Sequence, residues 1–326
     1  MNKLAIILHS PLAENAPADE LDVLDQAAFA REGLLELGYQ VQVMACPYDM
    51  AMLGRLLNDR QPACVVNLVE TLFSNGRLVH VVPFLLEHFG VPYTGCPADA
   101  LYTTSNKILA KKMMVARGIP TPAFYTWDDL HHVSQWNASA FLIKSLWEHA
   151  SFGIDENHQL LFSQREELIQ QMQARGAAGD FFAEEYIHGR EFNISVLDSP
   201  RGPQVLPVAE IRFSYPEGKP RIVGYRAKWD EASFEYANTT RSFEFPVADQ
   251  PLISRLKQIT LQCWRAFDLK GYARVDFRVD DQQNIFVLEI NANPCISADA
   301  GFVAAAAQAG LSRAQVMARI VGENNE

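Results

Sequence analysis

Cysteine is scarce and unpatterned in this 326-residue chain: Cys46, Cys64, Cys96, Cys263 and Cys295 are odd in number, widely spaced and without a C-x-x-C pair. Neither a disulfide framework nor a zinc site is expected, and a reducing, cytoplasmic setting fits best. Positive charge is also short. With 28 Lys and Arg against 39 Asp and Glu, the formal charge is −11, so the basic surface that displaces counterions from a nucleic-acid backbone is missing. No apolar run reaches membrane-spanning length, and Leu4 to Leu8 behind Met1-Asn2-Lys3 is too short for a signal peptide. Neither Gly-x-x-x-x-Gly-Lys-Ser/Thr nor Gly-x-Gly-x-x-Gly occurs, which removes the P-loop and dinucleotide-binding readings. Repeats and low-complexity tracts are absent too. What remains, at 48% hydrophobic and 21% charged residues, is a globular chain long enough for two or three domains.

The first ninety residues alternate short apolar runs with helical patterns: Leu4 to Leu8, Asp19 to Leu37, Val41 to Ala45, Met50 to Leu57, Ala63 to Val69 and a helix over Leu78 to Phe89. That is the signature of a parallel α/β unit. In the first helix Leu21, Leu24, Ala28, Leu34 and Leu35 fall near one stripe, and Gly38 supplies a left-handed stop. A boundary is expected near residue 97. A basic helix follows over Ser105 to Ala116, ended by Gly118-Ile-Pro-Thr-Pro122. Strand patterns at Phe141 to Lys144, Phe181 to Ile187, Glu191 to Leu197 and Val205 to Phe213 make the second half sheet-rich, with helices at Pro251 to Phe267 and after Ala298. The expected organisation is an α/β domain followed by α+β lobes.

The most informative segment is a hairpin. Gly271 to Asp280 and Ile285 to Asn291 flank a polar turn, and alternation puts Ala273, Val275, Phe277 and Val279 on one face and Arg274, Asp276 and Arg278 on the other. In the return arm Phe286, Leu288 and Ile290 are expected to share a face, leaving Glu289 and Asn291 opposite. A turn centred between Gln282 and Gln283 sets Asp276 across from Glu289 and Arg274 across from Asn291. Opposed carboxylates repel, so the pair calls for a compensating charge. Two readings are open: a magnesium ion held by Asp276, Glu289 and Asn291, which also takes phosphate oxygens, or a plain polar face on which Asp276 pairs with Arg274 or Arg278.

Arg274-Val-Asp-Phe-Arg278 with Leu288-Glu-Ile-Asn-Ala-Asn-Pro294 resembles the magnesium hairpin of the ATP-grasp ligases. Val91-Pro-Tyr-Thr-Gly95, Ser105-Asn-Lys107 and Gly118-Ile-Pro-Thr-Pro122 are similar to the start of the central domain in the D-alanine:D-alanine ligases; Phe141-Leu-Ile-Lys144 resembles their second nucleotide-binding strand, and Ala183 to Glu191 their adenine and ribose segment. Five ordered segments span most of the chain. The resemblance implies an ATP-grasp fold: an N-terminal α/β domain (1–96), a central lobe (97–187) and a C-terminal lobe with the metal hairpin (188–326). It further implies an ATP-dependent carboxylate–amine ligase working through an acyl phosphate, with ATP and Mg2+ (Mn2+ as the alternative) as cofactors and amino acids or a related acid and amine as substrates. Lys107 and Lys144 would hold phosphates, Glu184 and the backbone of Tyr186 and Ile187 would meet adenine, and Glu191 would accept the ribose hydroxyls. Ser151, in the Glu148 to Ile154 loop, would cradle phosphate, and the Arg221 to Arg241 segment would form a lid whose Lys228 pairs with the transferring phosphate. Arg274 would stabilise the oxyanion, and Glu14 would hold an amine. The plain alternatives are solvated lysines, a hairpin turn at Ser151, a helix cap at Glu14, and Arg274 serving only as the salt-bridge partner of Asp276. A nucleotide-binding module without ligation is the rival for the whole chain. Nothing in the sequence sets the oligomeric state; a homodimer is the common default.

Departures from the family pattern fall where it recognises its amino acids. His149 and Ala150 replace Gly and Ser, Trp229 replaces the tyrosine after the lid lysine, Asn67-Leu-Val-Glu70 stands in place of a His-Gly and Gly-Glu-Asp-Gly segment, and Cys295 replaces a glycine. These leave the ATP site intact and open the question of the substrate. No histidine is placed to activate Cys295, which is expected to be a small packed residue.

Overall fold

The structure is a computed structural model that describes residues 3–136, 139–147 and 159–323. It opens with β1 (Leu4–His9), α1 (Ala18–Glu36), β2 (Gln40–Ala45), α2 (Met50–Arg60) and β3 (Cys64–Leu68). The strands pair in parallel in the order β2-β1-β3. This is the arrangement that apolar runs alternating with helices dictate. Gly38, at φ +82°, ends α1 with Gly38 N–H donating to Leu35 O and Tyr39 N–H to Leu34 O, both 3.0 Å, a Schellman stop. Of the expected apolar stripe of α1 only Leu34 is buried, however. Leu21, Leu24 and Leu35 are exposed, and the buried face is Val23, Ala27, Ala30 and Leu34. That face packs in one core with Val316, Met317 and Ile320 at the C-terminal end of the chain, and the small residues let the backbones approach.

Where one helix was expected over 78–89, a 3-10 turn at Gly76–Leu78 precedes α3 (Val81–His88). The helix expected over 105–116 is α5 (Lys107–Ala116), and a further helix, α4 (Ala98–Ser105), precedes it. Asn106 separates them because its side chain accepts from Leu109 N–H (2.9 Å) as an N-cap. A small antiparallel sheet follows in the order β4-β6-β5, from β4 (Phe124–Thr126), β5 (Phe141–Ser145) and β6 (Phe181–Glu185), with α6 (Trp127–His132) and α7 (Arg165–Ala174) beside it.

The remaining strands are β7 (Arg190–Leu197), β8 (Gln204–Val205), β9 (Ala209–Phe213), β10 (Thr239–Ser242), β11 (Tyr272–Val279) and β12 (Ile285–Asn291). They form a six-stranded sheet in the order β10-β9-β7-β11-β12, with β8 alongside β7. The strand expected over 205–213 is broken because Pro207 has no N–H to donate to the ladder. Between β9 and β10 the chain forms α8 (Tyr225–Trp229) and α9 (Phe234–Ala237), so β10 occupies the end of the segment read as a lid. α10 (Gln250–Ala266) covers the apolar face of the sheet, packing Leu252, Leu256, Cys263 and Trp264 on Phe192, Val275 and Phe277. The chain ends with α11 (Gly301–Gln308) and α12 (Arg313–Ile320). Among the described residues no helix is long and apolar enough to cross a membrane, and all five cysteines are free thiols.

Candidate active site

The face of the large sheet opposite α10 is polar. Ala273, Val275, Phe277 and Val279 are at most 1% exposed on the α10 side, so alternation turns Arg274, Asp276 and Arg278 the other way. β7 adds Glu191, Asn193 and Ser195 opposite Arg278, Asp276 and Arg274. β12 adds Glu289 opposite Asp276 and Asn291 opposite Arg274, the pairing expected from the sequence. It arises differently, though. The turn centres on Gln282, and a bulge between the 276 and 277 pairs restores the register. Strict alternation therefore fails in β12: Ile285, Val287 and Ile290 are buried, whereas Phe286 and Leu288 are only partly so. The outer edge here is tied down, with Val287 N–H donating to Pro120 O (2.8 Å) and the Thr121 hydroxyl to Val287 O (2.8 Å).

Asp276 has several partners on this face. Arg274 forks onto it through Nε (2.8 Å) and Nη2 (2.9 Å), Asn193 Nδ2 donates to Oδ1 (2.8 Å), and Asn291 Nδ2 donates to Oδ2 (3.1 Å) and to Glu289 Oε1 (3.4 Å). The pairing with Arg274 is thus real, yet the Asp276 carboxyl still lies above its ordinary range, because burial outweighs Arg274 and Glu289 repels it. Glu191, ion-paired to Arg278 at 2.8 Å, is also raised, by burial first. Burial lowers Lys228 of α8, which feels Glu289, Arg274, Asp276 and Glu191. Two carboxylates and a carboxamide suit a hard divalent cation. No group of three or more His, Cys, Asp or Glu side chains converges among the described residues, so such an ion would take further oxygens from water or phosphate.

A second charged group lies in the small sheet. Glu184 of β6 is 1% exposed and is gripped by both Lys144 of β5 and Lys111 of α5. Burial raises a carboxyl, but here the two lysines prevail and hold Glu184 below its usual range; Lys144 is raised as Glu184 overcomes its burial. Lys111, 1% exposed, stays lowered because burial dominates. Its ammonium also donates to Thr121 Oγ1 (2.9 Å) and Leu288 O (3.4 Å), so it connects Glu184 to the bulge of β12. Lys107, also buried, begins α5, and its N–H donates to Leu146 O (3.2 Å). Of the two amides expected to meet adenine, that of Tyr186 is committed to Ala140 O (2.8 Å). The Tyr186 ring instead packs in an apolar cluster with Leu142, which pairs with Glu184 across the small sheet, and Ile222. Ile187 is buried. Ser151, His149 and Ala150 lie outside the described residues. Glu14 stands exposed in a turn ahead of α1.

A third cluster joins the first α/β unit to the segment after β12. Gln26, 3% exposed, donates to Asp22 Oδ2 and Glu70 Oε1, both 3.0 Å, and accepts from Ile296 N–H (3.3 Å). The Cys295 thiol donates to the same Asp22 oxygen (3.0 Å). Burial and Asp22 push that thiol well above its ordinary range, which leaves it protonated and packed rather than nucleophilic. Burial, with Asp22 and Asp19 adding to it, raises Glu70 to about 7. Reading the sequence missed Lys111 and Gln26. The available signals were a lysine one helical turn from Lys107 and a polar residue between Val23 and Ala27 on a buried stripe.

The fold is that of the ATP-grasp proteins, and the match to solved structures covers nearly the whole chain. The D-alanine–D-alanine ligase of Bacillus anthracis complexed with ATP superposes with a TM-score of 0.73 over 98% of this chain and 96% of its own, at 18% identity. The family profile described as D-ala D-ala ligase C-terminus matches residues 121–322. A D-alanine–D-alanine ligase of Synechococcus sp. (strain JA-2-3B'a(2-13)) is 30% identical over 271 residues, covering 81% of this chain and 76% of its own. An uncharacterized protein of Sinorhizobium fredii is 31% identical over 293 residues, covering 86% and 81%. The chain belongs to the D-alanine–D-alanine ligase family.

Two stability effects follow. Lys111→Met leaves buried Glu184 with one cation and is expected to cost about 3 kcal/mol in denaturant unfolding; adding Glu184→Gln recovers part of it. Glu70, raised from 4.5 to about 7, holds its proton in the folded chain after the unfolded chain has lost it. Its contribution is present below pH 4.5 and declines as pH rises towards 7. Comparing unfolding midpoints at pH 5 and pH 8, Glu70→Gln should lose less stability than the parent.

Proposed function

We propose that this chain is an ATP-dependent ligase that forms a C–N bond between a carboxylate and an amine, most simply two amino acids, with release of ADP and phosphate. The observation that carries the reading is the buried face on which Asp276, Glu289 and Asn291 meet Arg274 and Lys228, in a chain of the D-alanine–D-alanine ligase family. A divalent cation at Asp276, Glu289 and Asn291, magnesium or alternatively manganese, would neutralise phosphate oxygens. The oxygen donors and the raised Asp276 carboxyl fit that requirement.

The chain's own groups divide the remaining work. Lys107 and Lys144 are proposed to hold the phosphates, with Ser151 contributing from its loop. Glu184, Tyr186 and Ile187 would bound the adenine slot, and Glu191 would take the ribose hydroxyls. Lys228 would steady the phosphoryl group in transit to the substrate carboxylate, and its position on α8 suits a lid that keeps water from an acyl phosphate. Arg274 is proposed to meet the oxyanion as the amine attacks, a role for a fixed donor where charge develops. Glu14 would hold an ammonium. In this reading residues 1–96 serve the amino acid, while 97–187 and 188–326 clamp the nucleotide. A cytoplasmic setting is in keeping with five free thiols, and a homodimer acting on small molecules is the common default for such an enzyme. The changed positions Glu70, Trp229 and Cys295 argue for an acid and amine that need not both be D-alanine.

Incubation with Mg-ATP and panels of D- and L-amino acids tests this. ADP should appear only when both an acid and an amine are present, together with a product of the joined mass. Asp276→Ala and Glu289→Ala should each lower turnover roughly a hundredfold or more. Activity retained in both variants would refute the metal assignment.

A further inference from the structure

Parallel strands deliver the loops at their carboxyl ends to one edge of the sheet, where ligands of α/β units bind. In the order β2-β1-β3 that edge carries Ser10 after β1, Tyr48 after β2 and the 69–75 segment after β3. The edge adjoins the candidate active site. Ser10 Oγ accepts from the N–H groups of Glu70 (2.9 Å) and Thr71 (3.1 Å), Glu70 takes Gln26, and Gln26 takes Ile296 N–H. Asn293 Nδ2 reaches Asn67 O at the end of β3 (3.4 Å).

The chain then makes an uncommon turn. Leu72, 1% exposed, anchors it, and Asn75 N–H donates to Leu72 O (3.0 Å). The two residues between, Phe73 (φ +54°) and Ser74 (φ +53°), are both left-handed. Positive φ at both central positions is the type I′ pattern, which favours Asn-Gly and disfavours a bulky side chain. Burial does not offset the strain, since Phe73 is 59% exposed. Its ring instead stacks on Tyr48, itself 52% exposed, with centroids 4.8 Å apart and planes 23° from parallel. A strained residue that displays an aromatic ring to solvent beside a binding edge is better explained by what the ring contacts than by what it stabilises.

We propose that the Tyr48–Phe73 pair is a subsite for the aromatic or large apolar side chain of an amino acid substrate. The proposal rests on the ligase reading and adds the substrate class. The stack presents a flat apolar surface that an aromatic side chain can extend, whereas the methyl group of alanine has little area to place against it. Glu70, just ahead of Phe73 in the chain, is also the partner of Gln26 in the joint that holds Cys295 and Ile296, so one segment carries both the platform and that joint.

Calorimetric titration of the full chain with D- and L-phenylalanine and D-alanine, in magnesium and a non-hydrolysable ATP analogue, requires no turnover. One enantiomer of phenylalanine should bind roughly tenfold tighter than D-alanine. Phe73→Ala and Tyr48→Ala should abolish that preference and leave D-alanine binding unchanged. Phe73→Gly should raise the thermal midpoint while removing the preference, the signature of strain kept for binding. Absence of phenylalanine binding, a preference that survives both alanine variants, or a fall in sedimentation mass on Phe73→Ala, which would make the pair a contact between two copies of the chain, each overturns the subsite. Phenylalanine bound with the stated preference but never converted with ATP and any second amino acid would refute the ligase reading and leave the subsite standing.

Discussion

The arrangement depends on placing two carboxylates, Asp276 and Glu289, opposite each other on buried neighbouring strands. Such a pair is unfavourable by itself, and its surroundings answer it: Arg274 forks onto Asp276, Asn193 and Asn291 donate amides, and Lys228 arrives from α8. Even so, Asp276 stays raised, so the charged form is under-compensated in the chain alone. An apolar residue at either position would pack with less cost. Retaining both carboxylates makes sense where a cation and a polyphosphate complete the set.

Around that pair the fold acts as a set of joints. Lys111 binds the small sheet, through Glu184, to the bulge of β12, through Leu288 O. Gln26 binds the first α/β unit to the segment that leaves β12. Each joint is a buried polar side chain with several partners, the kind of contact that fixes geometry because breaking any part leaves a buried group unpaired. The first joint reaches β12, the strand that carries Glu289 and Asn291, and the second reaches the segment directly after it. The small sheet and the first α/β unit are thereby both tied to the hairpin and the segment that leaves it.

Much of this was legible in the sequence wherever the signal is local. β11 alternates strictly, so its polar face could be read residue by residue, and the ordered motifs identified the family. The bulge in β12 could not be read, because it depends on what docks against Val287 and Leu288 from outside the hairpin. The stripe of α1 was misread for a related reason: Leu21, Leu24 and Leu35 are larger and more apolar, but the packing partner α12 selects Ala27 and Ala30. The grip of Lys111 on Glu184 and the reach of Gln26 to Ile296 cross long stretches of chain and have no periodic signature. Likewise, Phe73 reads as one more apolar residue until its left-handed backbone is seen.

The most direct test of the central claim is a crystal structure with Mn2+ and a non-hydrolysable ATP analogue, read by anomalous scattering. The account predicts a manganese peak in contact with Asp276, Glu289 and the phosphate oxygens, with Asn291 turned to offer its amide oxygen. A nucleotide bound with no metal on this face, and Asp276 still engaged only by Arg274, Asn193 and Asn291, would contradict it.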